Sequence, residues 1–179
     1  MLDDSIRDPL TGVYNYEYFQ ARMKEEILRS NRYSKPYSVV RFDIDHFKQI
    51  NEQYGFDFGN KILKQFAELL LNTTRATDLI ARQEAEQFLV LLPEVSLDDS
   101  FSFAERARKI TEECEIFGDE KNRINITVSC GIVSYVRKEE MDVQQMLQLL
   151  DTSVYQAKDD GRNCIVPYTM FLAENNDYV

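Results

Sequence analysis

The sequence predicts an α/β domain in which helices pack over a mostly antiparallel sheet. Three observations carry that prediction. Apolar runs of strand length, Tyr37-Ser38-Val39-Val40-Arg41-Phe42 and Leu89-Val90-Leu91-Leu92, are interleaved with longer stretches of helical periodicity. Only two direct strand-to-strand steps occur at most, so helices must cover the sheet between strands. The 179 residues are 44% hydrophobic, which supplies one well-buried core but not two.

Taken in order, residues 1–7 are polar and read as a lead-in segment or linker, followed by the turn Asp8-Pro9-Leu10-Thr11-Gly12. Asn15 is placed to cap a helix whose apolar stripe is Phe19, Met23 and Ile27 and which ends near Ser34. That helix leads into a strand ending at Asp43. After Asp45 comes a short helical piece over residues 46–53, then a loop over residues 54–59 marked by Gly55 and Gly59. A helix over residues 60–75 follows, buried through Ile62, Leu63, Phe66, Ala67, Leu69 and Leu70. Asp78-Leu79-Ile80-Ala81 and the run ending at Pro93 form a hairpin with Glu84-Ala85-Glu86-Gln87 at its tip.

Ser96-Leu97-Asp98-Asp99 starts a further helix, with acids where the helix dipole favours them, and its expected buried face is Phe103, Ala107, Ile110 and Cys114. Residues 118–125 read as a polar loop. Ile126, Val128, Cys130 and Ile132 alternate with smaller residues, predicting a strand with two unlike faces. A last helix from Asp142 buries Met146, Leu149, Leu150, Val154 and Ala157 and stops at Gly161, a left-handed cap. Residues 163–167 make a final strand.

Composition narrows the function. A net charge of −10 opposes duplex nucleic acid and anionic membrane surfaces as partners. No stretch approaches ~18 consecutive apolar residues, so no span or membrane contact is expected. Cys114, Cys130 and Cys164 lack CxxC spacing and suggest neither a disulfide framework nor a zinc site. A reducing, cytoplasmic location is the expectation. Asp43 and Glu86, if their strands are neighbours, could share a divalent cation at a strand end, an arrangement used in phosphoryl transfer. From the residues alone, a solvated surface charge is the competing reading of each.

Four motifs in sequence order resemble the GGDEF family of diguanylate cyclases. They are Asp8-Pro9-Leu10-Thr11-Gly12-Val13-Tyr14-Asn15, Phe42-Asp43-Ile44-Asp45-His46-Phe47-Lys48-Gln49-Ile50-Asn51, Val128-Ser129-Cys130-Gly131-Ile132, and Tyr155-Gln156-Ala157-Lys158-Asp159-Asp160-Gly161-Arg162-Asn163. The resemblance implies a palm-like, nucleotidyl cyclase-type sheet over residues 8–167, with residues 168–179 as a C-terminal tail. It also implies a family reaction joining two GTP molecules into cyclic di-GMP across a dimer. Asp43, the Ile44 carbonyl and Glu86 would then be metal ligands, Lys48, Lys158 and Arg162 would contact the triphosphate, and Asn51 would read guanine. Asn60 stands where the family usually has Asp, and His46 is expected to pack beside the strand end.

The departures cluster at the hairpin tip. Glu84-Ala85-Glu86-Gln87-Phe88 replaces the family's Gly-Gly-Asp/Glu-Glu-Phe, adding Cβ atoms where close approach is needed, a negative charge at Glu84, and an amide at Gln87 in place of a carboxylate. No catalytic residue is therefore expected. Arg75-Ala76-Thr77-Asp78 resembles the family's RxxD inhibitory site for cyclic di-GMP, and Arg106 matches an arginine some members add there. The leading reading is a degenerate GGDEF domain in signal transduction, binding cyclic di-GMP as a receptor, a protein partner, or both, with homodimerisation left open. No cofactor is required on that reading, though Mg is expected if the vestigial nucleotide site still binds GTP. Two rivals stand: an active cyclase, and a structural dimerisation domain without nucleotide.

Overall fold

A computed structural model describes residues 4–114, 117–118, 120–135 and 141–168. The expected tail beyond Tyr168 and the first three residues of the lead-in lie outside them. A 3-10 turn at Asp4–Ile6 precedes β1, Tyr14–Asn15, and Asn15 donates from its side chain to the Ser5 carbonyl at 2.8 Å. Asn15 also caps α1, Tyr16–Tyr33, accepting from the Tyr18 amide at 2.9 Å, and Ser34 ends that helix in the left-handed conformation. Phe19, Met23, Glu26 and Ser30 form its buried face, while Ile27 is only half-buried.

β2, Tyr37–Ile44, is buried along its whole length. α2, Phe47–Tyr54, and α3, Phe56–Thr73, follow with Gly55 alone between them. The predicted loop over residues 54–59 is thus mostly helix. Gly55, at φ 89°, supplies the left-handed turn between helices, whereas Gly59 lies inside α3 because a Cβ there would collide with Asn51 Oδ1. β3, Leu79–Arg82, and β4, Gln87–Pro93, make the hairpin.

α4, Leu97–Glu113, is capped by Ser96 and buries Ser100, Phe103, Ala104, Ala107 and Thr111. Ile110 is exposed and Cys114 half-buried, contrary to the predicted face. Small residues let α4 approach the sheet, so the large Ile110 is displaced to the rim. Within the expected polar loop, β5, Phe117–Gly118, pairs with β6, Arg123–Ile124, and Gln65 of α3 holds Gly118 through both its amide groups. β7 runs Val128–Tyr135, and both of its faces are buried, because helices cover both sides of the sheet. α5, Val143–Asp159, begins with a capping box at Asp142 and Gln145, and β8 runs Ile165–Tyr168.

The main sheet has six strands in the order β1-β3-β4-β2-β7-β8. The β3/β4, β4/β2 and β2/β7 pairings are antiparallel, whereas β1 and β8 join in parallel. Alternation along β2 sends Val40, Phe42 and Ile44 into a core with α3 and α4, where Phe42, Phe66, Phe88 and Phe103 meet edge to face. Tyr37 and Val39 turn the other way, into a core with Phe19, Met23, Met146 and Leu150 from α1 and α5. Asp43 is on that second face, at the end of the central strand.

Candidate functional site

The register of the sheet assembles the site. Asp43 lies opposite Gln87 of β4 on one side and Ser129 of β7 on the other. Its carboxylate is almost fully buried and both oxygens are engaged: Lys158 of α5 is 2.8 Å from Oδ1, and the Gln87 side-chain amide donates to Oδ2 at 2.9 Å. Glu86 is half-buried at the tip, and burial first, then the neighbouring Asp43, pushes its carboxyl above the usual range.

The turn itself is tight. Gln87 N donates to the Glu84 carbonyl at 2.7 Å and Gln83 N to the Gln87 carbonyl at 2.9 Å. Ala85 adopts φ 34°, a region where its Cβ is penalised and which glycine enters freely. Arg82 steadies the turn by donating to the Ala85 carbonyl at 2.9 Å while bridging to Asp8 at 3.3 Å. Asp8, in the opening turn, therefore reaches the tip.

A divalent cation would need hard, anionic oxygen ligands here. Asp43 is already paired with Lys158, and Gln87 presents N–H donors to the place where a further carboxylate would help, which leaves Glu86, among the described residues, as the one unpaired carboxylate beside Asp43 at the tip. This donor set does not fit a divalent cation as it stands.

The other expected nucleotide contacts are more dispersed. Lys48 projects from α2 and is exposed, with Glu52 3.8 Å away. Asn51 faces Gly59, its Oδ1 buried without a hydrogen-bond partner, while Asn60 is exposed on α3. Arg162 is exposed at φ 67°, its amide bonded to the Ala157 carbonyl at 3.0 Å. His46 is exposed at φ 58°, so it does not pack beside the strand end; it is used as the turn from β2 into α2.

A second cluster lies at the opposite end of α3. Asp78 Oδ2 accepts from the Arg75 amide at 2.7 Å, and the Asp78 amide returns a bond to the Arg75 carbonyl at 3.1 Å, closing a compact turn. Burial raises the Asp78 carboxyl above its ordinary value. Arg106 reaches across from α4 to donate to the Thr73 carbonyl at 3.0 Å. Arg75 and Asp78 thus share one turn, and Arg106 reaches the end of α3 two residues before it. Arg75 also lines an adjoining cleft of about 810 Å³ with Arg22, Arg29 and Glu94.

A family model described as "Diguanylate cyclase, GGDEF domain" matches residues 5–164. The chain belongs to the GGDEF family. This GGDEF domain is 34% identical over 166 residues to the response regulator PleD of Caulobacter vibrioides, covering 92% of the chain but 36% of PleD. Among solved structures it is similar to the diguanylate cyclase SiaD of Pseudomonas aeruginosa, crystallised with its activator SiaC, with TM-score 0.86, 32% identity and coverage of 93% of this chain and 63% of SiaD. The coiled-coil and GGDEF domain of Caulobacter crescentus DgcB, crystallised in complex with c-di-GMP, gives TM-score 0.86 at 22% identity, covering 92% of this chain and 86% of that one. That last likeness concerns the fold. The chain spans about a third of PleD's length.

Sequence reading missed several polar residues that organise the site. Asp45 is buried and accepts from Thr127 Oγ1 at 2.7 Å, Ser129 Oγ at 2.6 Å and the Asn163 amide at 3.1 Å. Asn163 in turn meets Arg108 and Glu112 of α4. Arg41, embedded in an apolar run, is fully buried and contacts Gln83 and Asp151. A charged residue inside a strand-length apolar run was the available signal for Arg41; Asp45 carried only its motif. Among the described residues no helix is long and apolar enough to cross a membrane.

Proposed function

We propose that this GGDEF domain does not make cyclic di-GMP and instead binds it as a receptor at the corner formed by Arg75, Asp78 and Arg106, coupling that binding to a protein partner. The observation that supports the reading is the placement of these residues: Asp78 accepts from the Arg75 amide within one turn, and Arg106 of α4 donates to the Thr73 carbonyl at the neighbouring end of α3. Guanine offers N–H donors to a carboxylate, and its O6 and N7, like phosphate oxygens, accept from arginine. Loss of catalysis is supported by Gln87, whose amide donates to Asp43 where a carboxylate would help hold a cation. An active cyclase is the second reading, favoured by the survival of Asp43, Glu86 and Lys158 within one site.

Calorimetric titration with cyclic di-GMP, beside chromatography of a GTP reaction with magnesium, tests both. Saturable binding at micromolar ligand is expected, with no product above a protein-free control. Truncating one charged partner of a desolvated contact costs on the order of 2–5 kcal/mol, so Arg75→Ala and Asp78→Ala should each abolish detectable binding. Glu84→Ala should leave it unchanged. Absent binding in the wild-type chain, or an Arg75→Ala protein that binds equally well, defeats the receptor reading; product formation defeats the loss of catalysis.

A further inference from the structure

We infer that the groove between α1 and α5 is a binding site for a linear aliphatic polyamine, held by a carboxylate toward each end. The groove encloses about 760 Å³, and its acids are Asp142 and Asp151, with Lys24 the one cation among the described residues that line it. Asp142 caps α5 and Asp151 lies nine positions further on, roughly 13.5 Å along the helix axis. Two carboxylates so far apart cannot share one metal ion. A flexible chain with an ammonium at either end can reach both.

Each acid keeps an oxygen for such a ligand. Asp142 Oδ1 accepts from the Gln145 amide at 2.8 Å in the capping box, and Asp151 Oδ1 takes Arg41. An ionised carboxylate offers about four acceptor positions on its two oxygens, so Oδ2 of each remains available. Both residues are exposed, the Asp151 side chain at 66%. Between the acids, Leu147 lines the groove from α5 and Ile27 and Leu28 line it from α1, Leu28 being 70% exposed. The methylene segments of a polyamine would cover that apolar surface. Gln144 and Gln148, one turn apart on α5, add amide oxygens able to accept from an internal amine.

The lining selects among occupants. An anion would meet two carboxylates with only Lys24 in its favour, and an uncharged apolar molecule would leave the acids unanswered. A polycation is also favoured at long range by the net charge of −10. An extended chain advances ~3.3–3.6 Å for every three bonds, so spermidine spans roughly 10–11 Å between its terminal nitrogens. With a charge-assisted hydrogen bond of about 2.7–2.9 Å at each end, that length reaches both acids. Tyr16 offers an aromatic face to an ammonium at the Asp151 end. Burial raises its phenol above the ordinary value, Arg41 opposes this, and Asp151 and Glu84 add to it, so the hairpin-tip carboxylate is within electrostatic reach. Gln83 lines the groove too and its amide bonds the Gln87 carbonyl at 2.9 Å, so an occupant touches the base of the altered turn. Arg75, Asp78 and Arg106 take no part, and the inference stands apart from the proposed function.

The test is titration of the isotope-labelled chain with spermidine at a constant ionic strength of about 0.15 M, followed by amide NMR, with butylamine as the control carrying one ammonium. Saturable shifts are expected at Gln20, Leu28 and Leu147, with butylamine about tenfold weaker. Exposed ion pairs are individually modest, so Asp142→Asn, which keeps a good helix cap, should weaken spermidine about two- to fivefold. Lys24→Gln should tighten it by a similar factor. Absent saturation, shifts spread evenly over the acidic surface, equal binding of butylamine, or unchanged affinity in either variant overturns the inference. Both substituted residues are exposed, so the variants report on the groove and not on folding.

Discussion

Asp8 joins the opening turn to the altered hairpin. Its Oδ1 accepts from the Thr11 amide at 2.9 Å and from Thr11 Oγ1 at 2.6 Å, and Arg82 lies 3.3 Å away. Burial pulls its carboxyl upward, but the Thr11 bonds and Arg82 outweigh this and hold it below the ordinary value. A depressed folded-state pKa means that the stabilisation is present above the unfolded-state value, ~3.9, and is lost as pH falls through the folded-state value. Denaturant melts of wild type should therefore lose stability below about pH 4, and Asp8→Asn should remove part of that slope. Identical slopes would mean that Asp8 contributes nothing through its charge. At this scale the sequence was least legible: Asp8 was placed in a turn, but its bond to Arg82 spans the length of three helices and two strands. Arg41 and Asp45 were hidden for the same reason, since their partners Asp151 and Asn163 are more than half the chain away.

Elements were more legible because their signals are local. The Asn15 cap, the β2 run, the hairpin with its tip and the stop at Gly161 all lie close to where their residues place them. The start of α3 was not, since Gly59 reads as a breaker until Asn51 is seen against it. At the hairpin, geometry makes Gln87 the residue to change. Gln87→Glu would set a carboxylate opposite Asp43 in register, a like-charge cross-strand pair, partly offset by Lys158. In chelator the variant should be destabilised by roughly 0.2–1 kcal/mol relative to wild type. Millimolar magnesium should then raise its melting temperature while leaving wild type unmoved, because only the variant supplies the added anionic ligand. Thermal melts with and without magnesium check this; a magnesium-dependent rise in wild type would show that Asp43 and Glu86 suffice to hold the ion.

Across the whole molecule, one asparagine links α4 and the turn after α5 to the end of the central strand. Asn163 Oδ1 accepts from Arg108 at 2.7 Å, its Nδ2 donates to Glu112 at 2.8 Å, and its amide donates to Asp45 at 3.1 Å, tying α4, the turn after α5 and the end of β2 together. Arg108 is itself clamped by Glu105 through two bonds of 2.8 Å, so the network is anchored on the α4 side. Asn163 sits at φ 47°, a conformation that asparagine tolerates better than alanine. Two contributions can be separated by choice of substitution. Asn163→Gly keeps the left-handed backbone accessible but removes the side-chain bonds to charged partners, whereas Asn163→Ala removes those bonds and adds a backbone penalty of about 1–2 kcal/mol. Loss of a hydrogen bond to a charged group costs ~1.5–3 kcal/mol, so urea melts should show Asn163→Gly destabilised on that order and Asn163→Ala destabilised further. Equal stability of the two variants would remove the backbone from the account. Wild-type stability in Asn163→Gly would mean that α4 and the strand end are held together without this link.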